Sequence, residues 1–312
     1  MKFPGSQSVY IYPDKDRSYY CNIYVIRTPK KQVLIDLGKG WSYRKFKKVM
    51  RKDGLDIDKT DEIWITHIHP DHAQVAWLAK KLNCPVRCHP EGVKILCSPI
   101  PWTSLLEEEK QIATTWQKQI FRAPESIVKI VLRLLFGKWF RAVEKERVKI
   151  FEENEVIDFS DCRVRVIFTP GHTKDSVSYL IVEEKILITG DLVRLHNKVG
   201  IPCYNTFDAD FKGAMRSIRK YYRLTADNKI ESIAAGHKEP IVKDWSKILQ
   251  ILLLNLENGR KLKRRAEIFF KDHKTFWLWQ LANFIDDLVP EDVPRKEKMF
   301  LAFVLAKALN KI

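Results

Sequence analysis

The sequence predicts an α/β fold with a helical appendage, on three observations. Strand-like and helix-like runs alternate through the first half. Four strand ends each present side chains of metal-ligand type. Residues 242–312 carry apolar and aromatic residues at helical spacing. The 312 residues exceed the usual span of one compact core. A main domain over 1–241, with a helical insertion over 98–150, and a C-terminal helical subdomain over 242–312 are therefore expected.

The first strands are 9–12, 21–26 and 33–36, and Thr28-Pro29-Lys30-Lys31 reads as a hairpin loop. Glycines 38 and 40 end the third strand, and a basic helix follows over about 42–51. Asp36 carries two readings, a carboxylate that orients an imidazole or a plain turn residue. A strand over 62–66 comes next, then a helix from Asp71 to about Leu82, with Asp71 near its start, where a carboxylate suits the helix dipole. The segment 85–90 reads as a short strand entering a turn. Cys84, Cys88, His89 and Cys97 match no established zinc spacing, so His89 is assigned a structural place.

Between the strand at 62–66 and that helix lies Thr66-His67-Ile68-His69-Pro70-Asp71-His72. His67 and His69 are two apart, so an extended or turning backbone can aim both at one point. Asp71 and His72 can serve a second point. Four ligand-type side chains this close together point to a metal site rather than to scattered surface histidines.

The second half repeats the strand-then-ligand pattern. The run 163–169 alternates, breaks at Pro170-Gly171, and is followed by His172. A hairpin over 177–189 ends at Gly190-Asp191, and the run 231–235 ends at Gly236-His237. His172, Asp191 and His237 thus lie just beyond strand ends, as His67 does, and ligands in open α/β sheets gather at such ends. His196 and His273 stay outside the pattern and read as ordinary residues.

Residues 98–150 contain helical runs at 107–122 and 127–143, the second with a basic stripe of Lys129, Arg133, Lys138 and Arg141. That helix reads as packed on the core, as a lid over the site, or as an interfacial membrane helix. Helices are expected at 248–255, 276–284 and 297–309. The basic run 260–265 reads as a solvated helix face, with nucleic-acid contact as the rival.

A hydrophobic content of 45% with 30% charged residues describes a globular chain rather than a disordered one. The N-terminus shows no apolar signal core, and no apolar run reaches the roughly 18 residues of a membrane span. The six cysteines have no disulfide framework, which leads to the expectation of a reducing, cytoplasmic setting. The net charge of +16 favours anionic partners: an acidic or acyl small molecule, nucleic acid, or an anionic membrane surface.

In these motifs the chain resembles the metallo-β-lactamase superfamily of metal-dependent hydrolases, in its glyoxalase II-like group. The resemblance rests on HxHxDH at 67–72, PGHT at 170–173, GD at 190–191 and GH at 236–237, in that order over about 9–240. It implies a four-layered αβ/βα sandwich with a dinuclear site. It also implies that His67, His69 and His172 hold one divalent metal and Asp71, His72 and His237 a second, with Asp191 bridging. Zinc is the default, with iron or manganese as alternatives. The implied reaction is hydrolysis of an ester, thioester or lactone by metal-bound hydroxide, with Asp71 orienting the hydroxide or moving its proton. Phosphodiester cleavage, mononuclear-iron sulfur dioxygenation and non-enzymatic binding are the rivals. Ala73-Gln74-Val75 departs from the glycine-containing continuation of many RNA-processing relatives. Leu192-Val193-Arg194 lacks the tyrosine that some lactone-cleaving relatives place there.

Overall fold

The computed structural model describes residues 1–13, 21–37, 43–69, 71–98, 142–193, 210–237, 240, 242–273, 275–289 and 295–309. The insertion helices expected within 99–141, together with Arg194, His196 and Cys203, lie outside the described residues. The chain forms two compact units, Met1–Glu152 and Glu153–Ile312.

In the first unit the described strands form one mixed sheet in the order β1-β2-β3-β4-β5-β6. They are β1 Val9–Tyr12, β2 Ile23–Arg27, β3 Gln32–Ile35, β4 Glu62–Trp64, β5 Val86–Cys88 and β6 Val148–Ile150. The first three strands pair antiparallel and the rest run parallel to β3. The β2–β3 hairpin turns where expected: Thr28 N donates to Lys31 O at 2.9 Å, and Lys31 N to Thr28 Oγ1 at 3.2 Å. Helix α1 (Tyr43–Arg51) buries Phe46 and Met50, one turn apart, among Ile23, Leu34, Ile63 and Leu78, while Arg44, Lys45 and Lys48 face solvent.

Helix α2 spans Ala76–Leu82, a later start than the expected Asp71. The cause is local. His72 N and Ala73 N both donate to His69 O, at 2.9 and 2.8 Å, and close a tight turn. His72 O accepts from Leu37 N at 2.9 Å, just past β3, and Leu37 bridges to Ala73. Pairing with the chain after β3 holds the backbone at His72 beside Leu37, out of helical register, so the helical ladder begins later. Asn83 then ends α2 in the left-handed region at φ 54. A short helix α3, Val93–Leu96, follows β5.

In the second unit the described strands form a sheet in the order β11-β10-β9-β8-β7. Its members are β7 Val156–Asp158, β8 Arg163–Phe168, β9 Val177–Ile181, β10 Ile186–Gly190 and β11 Ser232–Ala235. Strands β9, β10 and β11 are buried at every position, as strands covered on both faces are. Helix α4 (Phe211–Ala226) precedes β11, and α5 (Trp245–Asp272), α6 (Leu278–Phe284) and α7 (Arg295–Ala308) follow it.

Helix α5 is much longer than the run 248–255 that the sequence suggested, because it continues through Gly259. A glycine inside a helix costs about 1 kcal/mol relative to alanine. Here a Cβ would lie 2.4 Å from Met215 Sδ of α4. The missing side chain is what lets α5 sit closely on α4.

Candidate metal centre

The first unit gathers ligand-type side chains at the ends of β3 and β4. Asp36 follows β3 in the left-handed region at φ 60 and is 1% exposed. Its Oδ1 accepts from Thr66 N at 2.7 Å, and its Oδ2 accepts from Thr66 Oγ1 at 2.7 Å and from His72 Nδ1 at 2.8 Å. One buried carboxylate therefore ties together the end of β3, the segment after β4 and the turn at His72.

These bonds fix two tautomers. A carboxylate only accepts, so the His72 proton resides on Nδ1 and its lone pair on Nε2. The Thr66 hydroxyl spends its proton on Asp36, so at 3.0 Å its oxygen accepts from His67 Nδ1. His67 consequently also presents a lone pair on Nε2. The rings of His67 and His69 lie 4.5 Å apart by centroid, and those of His67 and His72 lie 4.1 Å apart. Asp71 Oδ2 stands 3.9 Å from His72 Nε2. His67 and His72 are buried, while His69 and Asp71 are half-buried. Sequence reasoning missed Thr66, although its place directly before the first histidine was a signal. It also missed Cys21, whose donor atom lies within 4.8 Å of those of Asp36 and His72. Burial pushes the Cys21 thiol up to about 12, against an opposing pull from His72. It therefore packs beneath His72 as a neutral thiol.

The second unit carries three ligand-type side chains of its own. His172 sits on the loop after β8, where α4 grips the backbone. Asp210 N donates to Gly171 O at 2.9 Å, and Ser217 Oγ to Pro170 O at 2.8 Å. Gly171, at φ 155, packs so closely on α4 that a Cβ would lie 2.4 Å from Ala214 Cα. The Thr169 hydroxyl meets Ser178 Oγ at 2.8 Å, and Ser178 in turn meets the Tyr221 hydroxyl. Asp191 follows β10 through Gly190, which takes φ 53 beside a shift in the β10–β11 register. Gly190 O accepts from Gly236 N at 2.7 Å, which sets the strand end that carries His237.

As a result, Asp191 Oδ2 lies 3.1 Å from His237 Nε2 and 3.7 Å from His172 Nε2. Two imidazoles thus face one buried carboxylate oxygen. Neutral imidazole nitrogens and carboxylate oxygens are the donor set that borderline divalent cations such as zinc take. The buried His/Asp cluster is compatible with metal binding. The remaining described histidines are structural. His89 Nδ1 accepts from Glu91 N at 3.1 Å to cap a turn, and His273 stacks on Phe269 at 4.1 Å.

The role of Asp36 can be measured. In Asp36→Asn an amide group must face either Thr66 or His72 Nδ1 with a donor where an acceptor is needed. Affinity for zinc, read by competition with a chromophoric chelator, is expected to fall about 10- to 100-fold with the fold retained. An unchanged affinity would remove Asp36 from the support of the site.

Comparison with known proteins agrees with this architecture. The metallo-beta-lactamase superfamily model matches residues 17–237. The chain is 26% identical over 205 residues to the metallo-beta-lactamase fold-containing protein ST1585 of Sulfurisphaera tokodaii, covering 65% of this chain and 68% of that one. The crystal structure of the metallo-beta-lactamase family protein TTHA1429 from Thermus thermophilus superposes with a TM-score of 0.66 at 19% identity, over 97% of this chain and 93% of that one. A shorter stretch of 72 residues is 33% identical to an atrochrysone carboxyl ACP thioesterase of Aspergillus fumigatus, covering 23% of this chain and 21% of that protein. With its two mixed sheets and C-terminal helices in the α/β fold of that group, the chain belongs to the metallo-β-lactamase superfamily.

Proposed function

We propose that the chain is a binuclear metal-dependent hydrolase that cleaves an ester, thioester or lactone. In this reading His67, His69 and His172 hold one divalent cation, Asp71, His72 and His237 hold a second, and Asp191 is shared. The observation that carries it is the approach of two imidazole Nε2 atoms to Asp191 Oδ2, at 3.1 and 3.7 Å. A carboxylate serving two metal positions needs such neighbours on both sides. The Nε2 lone pairs of His67 and His72, set by Thr66 and Asp36, support the same reading.

When bound, such a cation pair supplies a nucleophilic water at neutral pH and polarises the scissile carbonyl. The chain's own contribution is to hold the donors in register and to place a base. Asp71, whose Oδ2 lies 3.9 Å from His72 Nε2, would in this reading accept a proton from the attacking water. No serine or cysteine nucleophile is required, and Cys21 is held neutral and buried. The choice of acyl substrates is supported by the 72-residue stretch similar to the atrochrysone carboxyl ACP thioesterase. Zinc is the metal assigned by default, with iron or manganese as the alternatives that the same donors accept.

A substrate panel tests this. The zinc-loaded chain is expected to turn over an acyl thioester or a lactone at least about tenfold faster, by kcat/KM, than bis-p-nitrophenyl phosphate. Turnover of the phosphodiester alone would overturn the acyl assignment and make the protein a phosphodiesterase.

A further inference from the structure

We propose that the outer face of α5, together with the start of α6, docks on an anionic lipid surface. Helix α5 buries Leu252, Leu256, Leu262, Ala266 and Phe269 on one side. At 100° per residue the opposite side carries Leu253, Arg260, Arg264, Ile268 and Lys271. Isolated exposed apolar residues are normal on any protein. Clustering is not. Among the described residues, six of the nine exposed large hydrophobics fall between positions 253 and 284.

Two of these six are tryptophans at the start of α6, and Trp277 is 70% exposed. Helix α6 is fixed to α5 by aromatic packing, with Phe269 lying 5.8 Å from Phe276 and 5.4 Å from Phe284 by ring centroid. The indoles therefore project from an anchored element rather than from a loose end. Trp279 and Phe284 are also exposed.

Charge selects the occupant. Segment 253–284 holds seven lysines and arginines against three acidic residues. Glu257 and Glu267 are paired with Lys261 and Lys263. Among the described residues, Arg260, Arg264 and Lys271 have no carboxylate partner. A second copy of this chain would bring the same basic face and the same +16 charge to the contact and would be repelled. Nucleic acid would satisfy the charges and could stack on the indoles, but it offers nothing to exposed Leu253, Leu254 and Ile268. An anionic bilayer satisfies all three groups: headgroups meet the cations, indoles sit at the interface, and aliphatic side chains reach the acyl boundary. The contact is peripheral, since no described helix is long and apolar enough to cross a membrane.

The test uses the full chain and extruded vesicles of phosphatidylcholine, with or without about 30% phosphatidylglycerol, a fraction at which polybasic segments bind. Co-sedimentation at low salt is expected only with the anionic vesicles. Trp277→Ser combined with Trp279→Ser is expected to weaken binding at least about tenfold, and Arg264→Gln with Lys271→Gln by a similar factor. All four sites are on the exposed side, so circular dichroism should match the parent chain. Absence of binding at low salt, or binding that the tryptophan pair does not weaken, would overturn the proposal. Self-association or oligonucleotide binding that this pair abolishes, with vesicles left unbound, would overturn it too and assign the face to that partner.

Discussion

Asp71→Ala is expected to leave the chain folded and to lower kcat by about 10²- to 10⁴-fold, the range that a positioned general base contributes. The turn that carries Asp71 is closed by backbone bonds from His72 N and Ala73 N to His69 O. Removing the carboxylate therefore leaves the turn in place. His72 stays fixed as well, because its Nδ1 is held by Asp36. What is lost is an oxygen 3.9 Å from His72 Nε2, the proposed donor to one metal position and proposed acceptor for the water's proton. Asp71→Asn should recover part of the metal affinity but little turnover, since an amide does not take up a proton at neutral pH. Equal turnover in the parent and in Asp71→Ala would remove this residue from the reaction.

Gly171→Ala should act through structure instead. The new Cβ would meet Ala214 Cα at 2.4 Å and Ala214 N at 2.6 Å, so the obstacle is the backbone of α4 rather than a flexible side chain. Overpacking against an element that cannot yield costs about 3 kcal/mol, which corresponds to a fall in Tm of roughly 6–12 °C for a domain of this size. The loop moved aside carries His172, so metal affinity should drop with stability. Gly259→Ala is the control. Its Cβ would meet Met215 Sδ, the adaptable end of a side chain, and the substitution also gains helix propensity. Its net effect should stay within about 1 kcal/mol. Matching Tm losses in the two variants would contradict the distinction between backbone and side-chain contacts.

The parts of the site legible in the sequence are those that strand chemistry marks locally. His172, Asp191 and His237 each follow a strand and a Pro-Gly, Gly or Gly break, and that pattern survives in the folded chain. The cluster 67–72 was legible because four ligand-type residues crowd one turn. Asp36 kept two readings because its meaning depends on Thr66 and His72, thirty and thirty-six positions later, through bonds that no local pattern encodes. The start of α2 was placed too early for the same reason: Asp71 looked like a helix opener, but Leu37 had claimed the His72 carbonyl. The helix expected over 248–255 runs on through Gly259, where the absent side chain faces Met215 of α4, a contact no local pattern shows. Long-range contacts overrode local propensity in each case.

In the proposed reading this chain holds a pair of metal ions. Mass-spectrometric metal analysis of the full chain, purified after equilibration with zinc and removal of excess ion, tests it most directly. Two ions per chain are expected, falling to one or fewer in His72→Ala. A parent protein that retains a single ion or none, under conditions where it is folded, would contradict the binuclear centre and the hydrolytic reading built on it.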